Sequence, residues 1–433
     1  MGLWVKEAAL AADEKRCTNT FPLLPLILWA LLLFPVQLQA GQAGTSLPDP
    51  GNSGDTAAKL EKMRSAYQLF PLNARLKRDL AETYAVYGDI LLKQRQLEQA
   101  DENFARALEL YPDEISYILV RGICNYYLKR YDIARHELGR LLILKPDSVD
   151  ALFFLGLALY ESDDRLQAME LWERARILAP GRSDIAEQLT KARRETAVEA
   201  SMDRGHSSRF NLTYDPDVSA TTAQTILDVL ESAANQIGAE LGHFPESRVP
   251  VAIYKRSDYT SVTASPDWSG GVYDGTIRLP FGAIRDITPP LRAILFHEYA
   301  HVVVFDLTRG NCPVWLNEGI AEVFGRRQFT SPQAVPQQTV ATGAAADIRA
   351  LEGSFSGLSA QKAGAAYQLS HSMVNYLATA YGWHRIKELL ATLGKGMNMD
   401  AAVAATFQDF SMTYTGLINE WRQASQRGQS SEN

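Results

Sequence analysis

The chain has 433 residues, a formal net charge of -7 at pH 7, and a composition that is 46% hydrophobic and 21% charged. That length exceeds what one hydrophobic core serves and predicts two or three domains. The acidic balance, with no run of Lys or Arg, argues against a nucleic-acid surface, and three cysteines are too few for a disulfide framework.

Phe21 to Val36 is an uncharged apolar run containing prolines, preceded by Lys15 and Arg16 and followed by small and amide residues to Ala43. A basic flank, an apolar stretch and then small residues read as an export signal, with cleavage after Ala40 or Ala43. The rival is an uncleaved N-terminal anchor, for which the run is slightly short. Under either reading Lys15 and Arg16 stay cytoplasmic and the remainder is exported, periplasmic or otherwise extracytoplasmic. Any membrane contact is then confined to residues 21–36. Cys17 precedes the apolar run, so it is not a lipoprotein cysteine. Residues 1–43 are assigned to this leader. Residues 44–55, rich in Gly, Pro, Ser and Asp, are assigned to a linker.

Residues 56–200 carry an internal repeat. Gly88, Gly122 and Gly156 stand 34 residues apart, as do Ala100, Ala134 and Ala168, and Pro112, Pro146 and Pro180. Three residue types sharing one period predict an all-α tetratricopeptide-repeat solenoid of stacked helix pairs. Each Gly permits close helix approach, each Ala fills a tight contact, and each Pro ends the second helix of its repeat. Phe104, Leu138 and Trp172 supply the large second-helix residue. Thr56 to Phe70 reads as the second helix of an incomplete earlier unit and Asp184 to Ala200 as a terminal cap. Function in such solenoids is usually binding, here of a protein partner. Tyr126, Phe153 and Tyr160 fall at first-helix positions that line the concave side, where they form either an apolar groove or packing between neighbouring repeats.

From residue 201 the texture changes. Phe210–Tyr214 and Val249–Tyr254 read as strands, Ala220–Leu241 as a helix, and Trp268–Pro280 as a Gly-rich turn followed by a strand. Then comes Ile294 to Val304, an apolar run interrupted by His297, Glu298 and His301. On a helix, residues four apart project from one face. His297 and His301 therefore suit a zinc ion, with Glu298 beside it as general base. Burying two imidazoles and a carboxylate without partners is costly, and a metal ion removes that cost. His136-Glu137 is followed by Arg140 where a second histidine would stand, so the dipeptide alone carries no meaning. A short loop, Thr308 to Pro313, lets a second helix return antiparallel and brings Glu318 back toward the metal as third ligand. Cys312 in that loop is read as a bystander.

The pair His297-Glu298-Tyr299-Ala300-His301 and Trp315-Leu316-Asn317-Glu318-Gly319 resembles the gluzincin metallopeptidases, the group that includes thermolysin and the aminopeptidase N type. Within that group it is most similar to the compact peptidase MA-like domains found beside tetratricopeptide repeats. The resemblance implies an α+β thermolysin-like domain over residues 201–425 that binds Zn2+ through His297, His301 and Glu318. It also implies that Glu298 activates the attacking water and that Glu322 and Asn317 orient the ligand imidazoles.

Gluzincins also capture extended peptide on a strand just before the zinc helix, and Gly270, Gly271, Thr276 and Arg278 are the candidates; the other reading is an ordinary hairpin. No Gly-Ala-Met-Glu-Asn type element is present, which favours endopeptidase or oligopeptidase activity on a protein or peptide substrate over exopeptidase trimming. Tyr367, with His371 as alternative, is the expected oxyanion donor. Phe329 to Gly364 reads as a loop near the cleft and 426–433 as a disordered tail. The expected function is that of an exported zinc metallopeptidase whose repeats recruit substrate or a partner. The alternative is a non-catalytic scaffold or chaperone-like protein with a latent peptidase fold.

Overall fold

The computed structural model describes residues 53–162, 164–263, 272–281, 286–329, 347–355 and 358–430. The leader, nearly all of the 44–55 linker, Gly270, Gly271 and most of the Phe329–Gly364 loop lie outside the described residues. Those described are mostly helical with one small mixed sheet, and none of their helices is long and apolar enough to cross a membrane. They form two compact units divided between Ala197 and Val198.

The first unit contains α1 (Ser53–Leu69), α2 (Ala74–Lys93), α3 (Leu97–Leu110), α4 (Ile115–Tyr127), α5 (Tyr131–Leu144), α6 (Val149–Glu161), α7 (Arg165–Leu178) and nearly all of α8 (Ser183–Glu199). The pairs α2/α3, α4/α5 and α6/α7 are the repeats that the 34-residue period predicts. A β-carbon added at Gly88 would stand 2.8 Å from the Phe104 ring, one at Gly122 2.6 Å from Leu138, and one at Gly156 2.4 Å from Trp172. Each glycine is thus set by the large residue of its partner helix, which occupies the space a side chain would need. Ala100, Ala134 and Ala168 are fully buried in the same contacts.

An arginine shares the period and was not singled out from the sequence. Arg140 donates to the Pro112 carbonyl, and Arg174 donates to the Pro146 carbonyl at 3.2 Å. A cation from one repeat thus meets carbonyls just beyond the end of the preceding repeat's second helix, where the helix dipole also favours positive charge. The candidate groove residues are taken up by packing. Phe153 is 8% exposed, Tyr126 meets Tyr127 and Phe154 edge-on, and Tyr160 lies against Trp172 and donates to Glu195. Tyr126 and Tyr160 nevertheless keep part of their surface exposed.

The second unit holds a five-stranded sheet among the described residues, with β1 (Asp203–His206), β2 (Phe210–Tyr214), β3 (Val249–Ile253), β4 (Val272–Tyr273) and β5 (Ile277–Leu279) in the order β1-β2-β3-β5-β4. The β1/β2 and β4/β5 pairs are antiparallel and the other two parallel. The crossover between β2 and β3 is α9 (Ala220–Leu241), which the Ser219 side chain caps by accepting from the Thr222 N–H and which Gly242 ends in the left-handed region at φ 62. After α10 (Arg256–Thr263) and the β4–β5 hairpin come α11 (Pro289–Thr308), α12 (Val314–Arg326), α13 (Ala360–Ala380), α14 (Trp383–Gly394), α15 (Met399–Thr406) and α16 (Tyr414–Ser430).

Two expectations are corrected here. Thr276 to Leu279 does not form an open edge, because β5 is paired to β3 on one side and to β4 on the other. Arg278 is only 2% exposed and donates to Asp274 at 3.1 Å and to the Tyr254 hydroxyl at 2.6 Å, while the Thr276 N–H turns back to Asp274 at 3.4 Å. Both residues build the hairpin. The second correction concerns the tail: α16 continues to Ser430, so residues 426–430 are helical.

Candidate metal centre

Helix α11 is delimited by its own sequence. The Thr288 side chain accepts from the Leu291 N–H, Pro289 and Pro290 occupy the first turn where a missing N–H costs nothing, and Arg309 ends the helix in the left-handed region at φ 53. Between these ends every residue from Leu295 to Val304 is at most 8% exposed, including His297 at 6%, Glu298 at 2% and His301 at 8%. A helix buried all round is expected to be apolar all round, so these three polar side chains need a compensating partner.

Helix α12 returns antiparallel: Gly325, near its end, lies so close to the start of α11 that a β-carbon there would stand 3.0 Å from the Ala293 carbonyl. The opposed run sets Asn317 beside His301, Glu322 beside His297, and Glu318 between the two. The Nε2 atoms of His297 and His301 are 3.1 Å apart, with their rings at 87°. Glu318 Oε2 lies 3.4 Å from the first and 3.5 Å from the second. Ligand atoms of His297, His301 and Glu318 all fall within 4.8 Å of one another.

The far side of each ring has its own partner. Asn317 Oδ1 is 2.9 Å from His301 Nδ1, and Glu322 Oε1 is 3.6 Å from His297 Nδ1. These acceptors favour the tautomer with the ring proton on Nδ1, and in that tautomer the two Nε2 lone pairs face one another beside a carboxylate. Such a cluster of donors repels itself, and a cation at its centre reverses the sign. Two imidazoles and one carboxylate form a zinc donor set that leaves a coordination position open for chemistry. Cys312 is outside the cluster, and burial raises the pKa of its thiol.

Charge in the site is tuned by burial. Desolvation pushes the Glu298 carboxyl up to about 7, with His301 opposing and Glu318 adding to the rise. Its Oε2 is buried with no hydrogen-bond partner among the described residues, and the same holds for Glu318 Oε2. Burial also raises Glu318, but His301 and then His297 outweigh it and hold the carboxyl below its usual 4.5. The two glutamates are thereby separated in character, one a ready anion and the other a group that exchanges a proton near neutrality.

Helix α13 closes the site from behind. The Tyr367 hydroxyl is held well above its usual pKa by Glu318 first, then by burial, Glu298 and Glu322, so it remains a donor. Its ring packs edge-on against Phe355 at 5.5 Å. Burial, assisted by Arg326, lowers His371 to about 4. Its Nδ1 is buried with no partner among the described residues. Thus His297, His301, Glu318, Glu298, Asn317 and Glu322 are drawn together and Tyr367 lies within their field, whereas Thr276 and Arg278 are used elsewhere. Arg326, missed from the sequence, belongs to the cluster through Glu322; its spacing of four residues from Glu322 on one helix is the signal that could have found it.

Residues 230–426 match the family model of the Peptidase MA superfamily, and that stretch contains both imidazoles and all three carboxylates of the cluster. Anaphase-promoting complex subunit 7 of Mus musculus is 27% identical over 191 residues, 44% of this chain. The chain spans 32% of that relative's length. A solved structure described as MamA RS-1 ArsTM double mutant is similar over 34% of this chain and 85% of its own, at 19% identity and a TM-score of 0.26. The stretch of the second unit that holds the cluster is therefore similar to the Peptidase MA superfamily.

Proposed function

We propose that the second unit is a zinc-dependent peptidase of the thermolysin-like, gluzincin kind, acting on internal peptide bonds of a protein or peptide substrate. The observation that carries the reading is the convergence of His297, His301 and Glu318 next to a buried, unpartnered Glu298 carboxylate oxygen. Zinc held by those three residues would polarise the scissile carbonyl and acidify the attacking water. Glu298 takes the proton of that water and delivers it to the leaving amine. Tyr367, kept protonated, donates a hydrogen bond to the oxygen on which negative charge develops. Asn317 and Glu322 hold the two imidazoles in one tautomer.

The helix pairs of the first unit act as tetratricopeptide repeats that recruit a protein partner, and the apolar run 21–36 behind Lys15 and Arg16 exports the chain. The test is cleavage of a peptide library by zinc-loaded protein and by Glu298→Gln at equal zinc content. Discrete internal cleavage that disappears in the variant is the expected result. No cleavage by the unaltered chain, or equal cleavage by the variant, contradicts the reading.

A further inference from the structure

We infer that Arg326 is a positioning residue for the metal centre, acting on His297 through Glu322. This rests on the zinc reading above and extends it to a residue outside the ligand set. Arg326 places both Nε and Nη2 at 2.7 Å from one atom, Glu322 Oε2. The Nε–H hydrogen bond and the adjacent Nη2 cation together hold that one oxygen in place on the arginine side. The free oxygen, Oε1, is then the one that faces His297 Nδ1 at 3.6 Å.

The arrangement is built for constancy. Arg326 and Glu322 stand four apart on α12, so the pair needs no other element to form. The Glu322 side chain is 7% exposed and that of Arg326 24%, so the pair is largely shielded from water and is more than a surface ion pair. The two imidazoles are consequently backed unequally. His301 has a neutral amide, Asn317, at 2.9 Å, whereas His297 has an anion at a longer distance whose orientation depends on Arg326. Without the arginine, Glu322 is free to rotate off the ring, and His297 loses the acceptor that leaves its Nε2 bare for the metal.

The experiment measures the zinc dissociation constant of the full chain by competition with a chromophoric chelator, for Arg326→Met, Arg326→Lys, Glu322→Gln and the Glu322→Gln/Arg326→Met pair. Arg326→Met is expected to weaken zinc binding about 10-fold or more, and Arg326→Lys, which keeps one donor, less. The double variant should bind zinc no worse than Glu322→Gln alone, because the arginine acts only through that carboxylate. Losses that multiply in the double variant, or unchanged affinity in Arg326→Met, overturn the inference. A second readout needs no metal: 15N shifts of the His297 ring in zinc-free protein should report a proton fixed on Nδ1 that spreads to Nε2 in Arg326→Met. A ring tautomer indifferent to the substitution contradicts the role of Arg326 even if zinc binds, whereas failure of the unaltered chain to bind zinc overturns the metal reading together with it.

Discussion

Gly319 lies so close to Ser370 that a β-carbon on it would stand 2.4 Å from the Ser370 carbonyl oxygen. That contact presses α12 onto α13 one residue after Glu318, and it involves backbone that cannot rotate away. Gly319→Ala should therefore separate the helices, at a stability cost of roughly 1–3 kcal/mol. Glu318 should move with its backbone and weaken zinc binding more than 10-fold. Denaturant unfolding of zinc-free protein and a chelator competition check both. Wild-type values in both would show that the two helices have room to spare.

Glu298→Gln should stabilise zinc-free protein at pH 8. The carboxyl is raised from 4.5 to about 7 in the folded chain, so the folded state binds the proton more tightly than the unfolded one. Its contribution is fully present below pH 4.5 and is lost as pH rises through 7; glutamine does not titrate and loses nothing. The variant should thus gain roughly 1–3 kcal/mol over the unaltered chain at pH 8, with the gap closing at pH 4. Parallel denaturant midpoints at both pH values, with no divergence, would mean the carboxylate is not desolvated.

In the repeat unit, Gly156→Ala should cost more than Gly122→Ala. The added carbon meets the Trp172 indole in the first case, and Trp172 is held by its N–H bond to the Phe153 carbonyl at 3.0 Å. Leu138, which meets Gly122, is a flexible chain with no such tie. Unfolding of a 53–197 fragment measures the ranking, with Gly156→Ala expected to lose roughly 1–3 kcal/mol. An inverted order would place the rigidity of the stack elsewhere. Zinc binding by the full chain should be unchanged in both variants, since the ligand cluster lies within the second unit.

Helix pairs and the pairing of His297 with His301 were readable from the sequence because each rests on a local or periodic constraint. Gly88, Gly122 and Gly156 answer to one contact repeated at one spacing, and His297 and His301 answer to helix geometry over a single turn. The Arg140 and Arg174 bonds share the repeat period, but an arginine on a helix surface has many uses, so its partner appears only in three dimensions. The place of β5 inside the sheet was not readable. A hairpin sequence specifies which strand follows it, but not that β3, from far upstream, pairs on its other side. Tyr126, Phe153 and Tyr160 stand where concave surface and inter-repeat packing overlap. Their large rings pack on neighbouring aromatic rings while Tyr126 and Tyr160 stay partly exposed, and position in the repeat does not separate the two roles.

The most direct test of the metal centre is X-ray absorption at the zinc edge on stoichiometrically loaded full-length protein. The account predicts one zinc per chain with two imidazole ligands and oxygen for the rest, falling to a single imidazole or to no bound zinc in His301→Ala. A sulfur ligand, as from Cys312, or a spectrum unaltered by His301→Ala would contradict it.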